Sequence, residues 1–136
     1  MGQVQISAYW TGEALNYIGV DSRGNEVAMG GKGNMSPAQM VLLGLAGCMG
    51  MDVVNILQKK KQQISAVQVR VIAQQPDDYP KPYQAIEVAF TVKGDQVDPT
   101  AVARAIELSE EKYCVVGQTL QSQVEIATSF TVEEGA

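Results

Sequence analysis

Apolar and polar residues alternate along several stretches of the chain, and this period of two is typical of half-buried β-strands. We predict six such strands, over residues 4–10, 15–20, 26–29, 64–75, 83–93 and 124–132. Residues 21–25 form a turn between the second and third strands. The proline-containing segment 76–82 joins the fourth strand to the fifth, so these two strands form a long hairpin.

Two segments begin with a polar residue followed by proline, which is a helix-start signal. Ser36 precedes Pro37 and Asp98 precedes Pro99, so that each polar side chain caps free amides and each proline occupies the first helical position. The helices are predicted to end at about residues 60 and 113. The resulting order, βββ-α-ββ-α-β, predicts an α+β fold with mainly antiparallel sheets, in a single domain over residues 1–136.

The first half of the first helix is apolar on every face, which predicts a long central helix buried all round. Gly44, Gly47 and Gly50 lie in this half, and each weakens a helix by up to about 1 kcal/mol relative to alanine. They fit best where another helix or a substrate approaches closely. A helix of this kind in so small a chain needs a partner surface, so we expect a homodimer. The apolar run 40–51 is shorter than the roughly 20 residues of a membrane span, which favours a core helix.

Composition narrows the class of protein. The chain is 46% hydrophobic and 18% charged, which is typical of an ordinary soluble globular protein. A net charge of -5 argues against a nucleic-acid partner, which would require clustered Lys and Arg. The first residues carry no basic segment followed by an apolar run, so we expect a cytoplasmic protein with no membrane partner.

Cys48 and Cys114 are the two cysteines, and the chain contains no histidine. A cysteine–histidine protease dyad and zinc sites that mix the two ligands are therefore excluded, and two thiols alone cannot complete a tetrahedral zinc site. Three interpretations remain open: two inert core cysteines, a structural disulfide, or a thiol pair with redox chemistry. The structural disulfide is the least expected of these in a reducing cytosol.

Three segments carry a family resemblance: SPAQMVLLGLAGC over residues 36–48, MDVV over 51–54 and AIELSEEKYCVV over 105–116. Together they resemble the OsmC/Ohr family of osmotically induced and organic hydroperoxide resistance proteins, and within it the short YhfA-like branch. The resemblance implies an intertwined homodimer with two active sites at the interface. It also implies two-cysteine reduction of organic hydroperoxides in oxidative stress defence, with Cys48 as the attacking thiol and Cys114 as the resolving thiol. An external dithiol reductant would be required, without a bound cofactor or metal.

The chain departs from the better known branches of that family at the cation that supports the attacking thiol. Those branches pair a glutamate in the first turn of the central helix with an arginine from the N-terminal strands, whereas residues 37–40 here read PAQM. A thiolate in apolar surroundings needs a nearby cation, and we expect Lys32 first and Arg23 second. Asp52, one turn beyond Cys48, would oppose ionisation or would serve as a hydrogen-bond partner.

The remaining expectations concern Cys114 and the substrate pocket. Cys114 is predicted to open a short helical turn whose free amides favour a thiolate. Met40, Met51 and Tyr113 are candidates for an apolar substrate pocket, although methionines at helical spacing are also common in plain cores. A second functional hypothesis is a catalytically degenerate dimer that binds an apolar small molecule at its interface. A plain structural dimer is the third.

Overall fold

The computed structural model describes residues 1–133 of the chain, which contain five strands, three α-helices and one π-helical turn. In chain order these elements are β1 (Ser7–Trp10), β2 (Tyr17–Val20), β3 (Glu26–Met29), α1 (Pro37–Lys59), β4 (Gln63–Gln74), β5 (Ala85–Asp95), α2 (Pro99–Leu108), the π turn (Ser109–Tyr113) and α3 (Val115–Gln121). The α+β fold class with antiparallel sheets is confirmed.

The chain divides into two compact units that share α1 and the β4–β5 hairpin. The first unit comprises Met1–Gly47 and Gln68–Thr91, and the second comprises Cys48–Val67 and the chain from Val92 onward. The single domain expected over residues 1–136 stays a prediction.

The first unit holds a three-stranded antiparallel sheet in the order β1-β2-β3, with Trp10 opposite Tyr17 and Val20 opposite Glu26. The predicted turn between β2 and β3 is closed by Asp21. Its carboxylate accepts hydrogen bonds from the backbone amides of Arg23 at 2.9 Å and Asn25 at 2.8 Å. Hydrogen bonds from Asn25, led by its side-chain amide, lower the pKa of Asp21.

β4 and β5 form the predicted hairpin as a separate two-stranded sheet. The amide of Gln84 donates to the carbonyl of Gln74 at 2.8 Å near the turn. At the other end, a Cβ on Gly94 would collide with the carbonyl oxygen of Gln63, so glycine allows the close approach of the two backbones.

Both predicted helix starts are present. Ser36 Oγ accepts from the amide of Gln39 at 3.3 Å at the start of α1, and Asp98 Oδ1 accepts from the amide of Thr100 at 2.9 Å at the start of α2. α1 buries a stripe of residues at a spacing of four, namely Leu45, Met49, Val53 and Leu57. Together with Ala101 and Ala105 of α2, the last three of these form the buried core of the second unit.

The burial predicted all round α1 is found on one face only among the described residues 1–133. Val41 is 43% exposed, Leu43 54% and Met51 75%, and a Cβ on Gly44 or Gly47 would meet nothing within 4 Å. The physical reason is that one short chain supplies too few elements to enclose a helix of 23 residues. Burial of the remaining face would require a second surface.

The length argument against a membrane span is corrected by the structure. α1 extends well beyond the apolar run, and its 23 residues include a stretch that is long and apolar enough to cross a membrane by length and composition. Its buried stripe is that of a core helix in a globular protein, which passes the same test. The cytoplasmic location stays a prediction.

The last predicted strand, over residues 124–132, is not formed within the described part of the chain. Its apolar side chains are more than half exposed, namely Val124, Ile126, Phe130 and Val132. A strand exists only when its backbone groups pair with a neighbour, and this segment has none among residues 1–133. The observed element order therefore ends with α3 and not with a strand.

The core stripe of α1 gives a direct test of the fold. Leu57→Ala removes a side chain that is 0% exposed, and we expect it to lower the free energy of unfolding by about 2–5 kcal/mol because it leaves a cavity. Leu15→Ala is the matched control, since Leu15 is 75% exposed, and it should change stability by no more than about 0.5 kcal/mol. Urea unfolding of both variants measures the difference, and equal effects would contradict the assigned core.

Candidate active site

The two cysteines lie in the second unit, close enough for Cys48 to raise the pKa of Cys114. Cys48 is half-buried on α1, Cys114 is fully buried between the π turn and α3, and both are free thiols. When an oxidant is supplied, two neighbouring thiols can be oxidised to a disulfide.

Cys114 is held by backbone hydrogen bonds on both sides. Its amide donates to the carbonyl of Ser109 at 2.8 Å, and its Sγ accepts from the amide of Gly117 at 3.3 Å as the cap of α3. Its own backbone is extended, with φ -78° and ψ 102°. The sequence predicted a helical turn opened by this residue, and the turn is present.

Burial, and after it the interaction with Cys48, raise the pKa of Cys114 to about 11. The Gly117 amide acts in the opposite direction, while the charge of Asp52 adds a small increase. The Gly117 amide thus favours the thiolate as predicted, but desolvation outweighs this one hydrogen bond and the pKa is raised overall. At neutral pH Cys114 retains its proton.

Asp52 is tied to the segment before Cys114. Its Oδ2 accepts a hydrogen bond from Ser109 Oγ at 2.8 Å, and Ser109 is 0% exposed. The sequence analysis did not single out Ser109. The available signal was its position four residues after Ala105 on the buried stripe of α2, since a lone hydroxyl there requires a partner.

A cavity of about 290 Å³ opens beside Asp52 and Tyr113. Ile56 and Leu108 form apolar parts of its wall. Three polar or basic residues that were not among the predicted site residues also line it, namely Asn55, Lys59 and Lys60. Met51, expected in a pocket, is 75% exposed. The cavity can therefore receive an apolar group together with a polar or anionic one.

The other predicted site residues belong to the first unit. Arg23 is in the β2–β3 turn, Lys32 is exposed in the glycine-rich loop before α1, and Met40 lines a separate cavity of about 410 Å³ beside Val27 and Met29. Their proposed roles stay predictions. No group of metal-binding side chains was found within residues 1–133.

A further cavity of the first unit has a volume of about 480 Å³ and lies between the first turn of α1 and the side chain of Arg70. Arg70 and Gln39 both line it. Gln39 lies in the turn in which the better known branches carry a carboxylate. The cavity is therefore lined by an amide side chain from that turn and by Arg70 of β4.

Comparison with known proteins gives consistent matches over most of the chain. The family model described as OsmC-like protein matches residues 30–129. Protein YhfA of Escherichia coli strain K12 is 35% identical over 132 residues, covering 95% of this chain and 98% of YhfA.

Solved structures share the fold. A hypothetical protein from Aquifex aeolicus VF5 is 29% identical with a TM-score of 0.79, covering 89% of each chain. An OsmC-like hydroperoxide resistance protein from Jannaschia sp. CCS1 is 19% identical with a TM-score of 0.58, covering 86% of this chain and 83% of that one. The family match over residues 30–129 and the 35% identity to YhfA over most of both chains show that the chain belongs to the OsmC-like family.

Proposed function

We propose that this protein is a thiol-dependent peroxidase that reduces organic hydroperoxides through Cys48 and Cys114. The observation that carries the proposal is the proximity of two free thiols, one half-buried and one fully buried, which interact closely enough for Cys48 to raise the pKa of Cys114. The name of the Jannaschia relative, a hydroperoxide resistance protein, supports the substrate class. The proposed role is defence against oxidative stress.

The first step uses the more accessible thiol. The Cys48 thiolate attacks the distal oxygen of a hydroperoxide ROOH, the O–O bond breaks, and the alkoxide leaves as the alcohol ROH after taking up a proton. Cys48 becomes a sulfenic acid. A hydroperoxide reaches Cys48 before Cys114, because Cys114 is 0% exposed.

The second step uses Cys114. Cys114 gives up its proton as its sulfur attacks the sulfur of the Cys48 sulfenic acid, the S–O bond breaks, and the departing hydroxide takes up that proton, so that a disulfide and one water molecule form. The raised pKa of Cys114 suits this role, because a thiol that keeps its proton until the sulfenic acid forms does not compete as a nucleophile. An external dithiol then reduces the disulfide, and no bound cofactor is needed.

The cavity beside Tyr113 supports a substrate with an apolar body. Ile56 and Leu108 line it, and Tyr113 adjoins Cys114 in the chain. Asp52, which also lines it, is one helical turn from Cys48. An aryl or alkyl hydroperoxide of modest size fits a volume of about 290 Å³.

We propose further that the protein is a cytoplasmic homodimer whose partner subunit covers the open face of α1. Exposed Val41 and Leu43, and open space at Gly44 and Gly47, support close approach of a second helix. The cation expected for the Cys48 thiolate, Lys32 or Arg23, would then come from either subunit.

The alternative function is a dimer that binds an apolar small molecule without catalysis. The observation that favours it is a cavity of about 480 Å³ beside the first turn of α1, a turn that contains no carboxylate in this chain. The two functions differ in whether Cys48 and Cys114 undergo repeated cycles of oxidation and reduction.

Loss of Cys48 separates catalysis from binding. Cys48→Ser should reduce consumption of cumene hydroperoxide with dithiothreitol to the background rate, because the nucleophile is gone. Cys114→Ser should still oxidise Cys48 once but form no internal disulfide. Ser122→Ala, which removes a hydroxyl at the end of α3, is the control that keeps the wild-type rate. A wild-type rate in Cys48→Ser would exclude the assigned chemistry.

The raised pKa of Cys114 predicts its behaviour at alkaline pH. With a folded pKa of about 11, only about 1% of Cys114 is thiolate at pH 9, so iodoacetamide should modify it at least about tenfold more slowly than in unfolded protein. Mass spectrometry of the alkylated peptides measures the two rates.

The same pKa fixes the sign of a stability effect. Because the folded pKa lies above the unfolded value of 9.0, the unfolded thiol loses its proton first, and the contribution of Cys114 to stability falls as pH rises from about 9 to about 11. Cys114→Ser should flatten this part of the pH profile of urea unfolding. An unchanged profile would contradict the assigned environment.

The proposed dimer face is tested at its glycines. Gly44→Leu combined with Gly47→Leu adds side chains that meet open space in a single chain, so the chain should still fold, while the dimer should dissociate. Sedimentation velocity at micromolar concentration gives the oligomeric state. Gln58→Leu on an exposed position of the same helix is the control, and an unchanged dimer in the glycine variant would place the interface elsewhere.

A further inference from the structure

Two hydrogen bonds connect Cys114 to the helix that carries Cys48. Ser109 Oγ donates to Asp52 Oδ2 at 2.8 Å, and the Ser109 carbonyl accepts from the Cys114 amide at 2.8 Å. Cys48 and Asp52 are four residues apart on α1 and therefore share a face. The same turn of α1 therefore carries Cys48 and, through Asp52, holds the segment that precedes Cys114.

The segment between these two bonds is the π turn, an uncommon helical form. In an uninterrupted α-helix the Cys114 amide would donate to the carbonyl of Glu110, but here it donates one residue further back, to Ser109. The Glu110 carbonyl released in this way accepts instead from the side-chain amide of Gln118 at 3.2 Å. The position of Cys114 therefore depends on this wider turn being maintained.

Ser109 is positioned to hold it. The side chain is 0% exposed, so its hydroxyl is removed from water and bonds to Asp52. A buried hydroxyl without a partner is costly, so the bond opposes any movement of Ser109 away from α1. Since Ser109 also bonds the Cys114 backbone, the restraint extends to the thiol.

We propose that Asp52 and Ser109 form a latch, defined by these two side chains, that positions Cys114 for bond formation with Cys48. Asp52 and Ser109 are positioning residues and touch no reacting atom. The role deepens the proposed function and rests on it for its catalytic consequence. A disulfide requires Cα atoms within a narrow range of about 4.4–6.8 Å, so a small movement of the π turn is enough to prevent the bond.

The catalytic consequence is a partition of the Cys48 sulfenic acid. With the latch closed, Cys114 attacks the sulfenic sulfur, and the products are the disulfide and water. With the latch broken, a second hydroperoxide reaches the sulfenic acid first. It transfers one oxygen and leaves as alcohol, and Cys48 becomes a sulfinic acid that dithiols do not reduce. The latch therefore protects the enzyme from its own substrate.

Disulfide closure can be measured without peroxide. The full-length reduced protein is treated with diamide, an azo oxidant that takes two electrons and two protons from the thiol pair, and the loss of free thiols is followed with time. Ser109→Ala and Asp52→Ala should each close about tenfold more slowly, the factor for a hydrogen bond of about 1.4 kcal/mol. Ser109→Thr and Asp52→Asn keep a donor and an acceptor and should stay within about twofold of wild type.

Two controls separate positioning from general damage. Ser122→Ala removes another serine hydroxyl of the second unit, one that bonds only the carbonyl of Thr119, and should close at the wild-type rate. If Ser109→Ala does not fold, the pair Asp52→Ala and Asp52→Asn carries the test, because both leave Ser109 in place. Wild-type closure rates in Asp52→Ala overturn the latch.

A second measurement follows the fate of Cys48 under excess cumene hydroperoxide. The rate of the first oxidation of Cys48 should be unchanged in Ser109→Ala, while the sulfinic fraction found by mass spectrometry should rise about tenfold. An unchanged sulfinic fraction overturns the protective role. A wild-type protein that consumes no peroxide refutes the proposed function instead, and the diamide rates then decide separately whether the latch positions the thiols.

Discussion

Burial of one face of α1 is the constraint on which the site depends. Met49 and Val53 lie in the buried stripe of that helix, and Cys48 and Asp52 each come one residue earlier. One residue is about 100° of helical rotation, so the thiol and the carboxylate both lie along the same edge of the stripe. At that edge a side chain is half-buried, accessible to a small molecule and still within reach of the core. The pairing with Cys114 follows from this placement.

The two thiols differ in their surroundings. Cys114 is surrounded by core and keeps its proton because there is little solvent to stabilise a thiolate. Cys48 sits where substrate can arrive. In the proposed mechanism, this difference in burial gives the two thiols their different roles.

Local signals in the sequence predicted the parts of the fold that depend on local physics. Ser36 with Pro37, and Asp98 with Pro99, start the two long helices where expected, since a cap requires only its own turn. Alternation located β1 to β5 because each strand has a neighbour in the same chain. The segment 124–132 alternates equally well but has no such neighbour in the part of the chain that the structure describes, so alternation alone was not enough to form a strand.

The parts of the site that sequence reasoning missed depend on contacts between distant segments. The spacing of Ser109 from Ala105 places a hydroxyl on the buried face of α2, but its partner, Asp52, is 57 residues away and is identified only in the folded chain. The π turn carries no composition signal of its own, because it is an α-helical sequence with one hydrogen-bond register changed. The raised pKa of Cys114 likewise comes from desolvation, which only the assembled core supplies.

The bond between Asp52 and Ser109 also has an evolutionary consequence. A relative that lost the carboxylate alone would keep a buried hydroxyl without its acceptor, and one that lost the hydroxyl alone would keep a half-buried charge without its donor. Each single replacement is an unfavourable intermediate. Replacement of both by small apolar residues avoids both penalties, so the two positions should covary across descendants of this chain although 57 residues separate them.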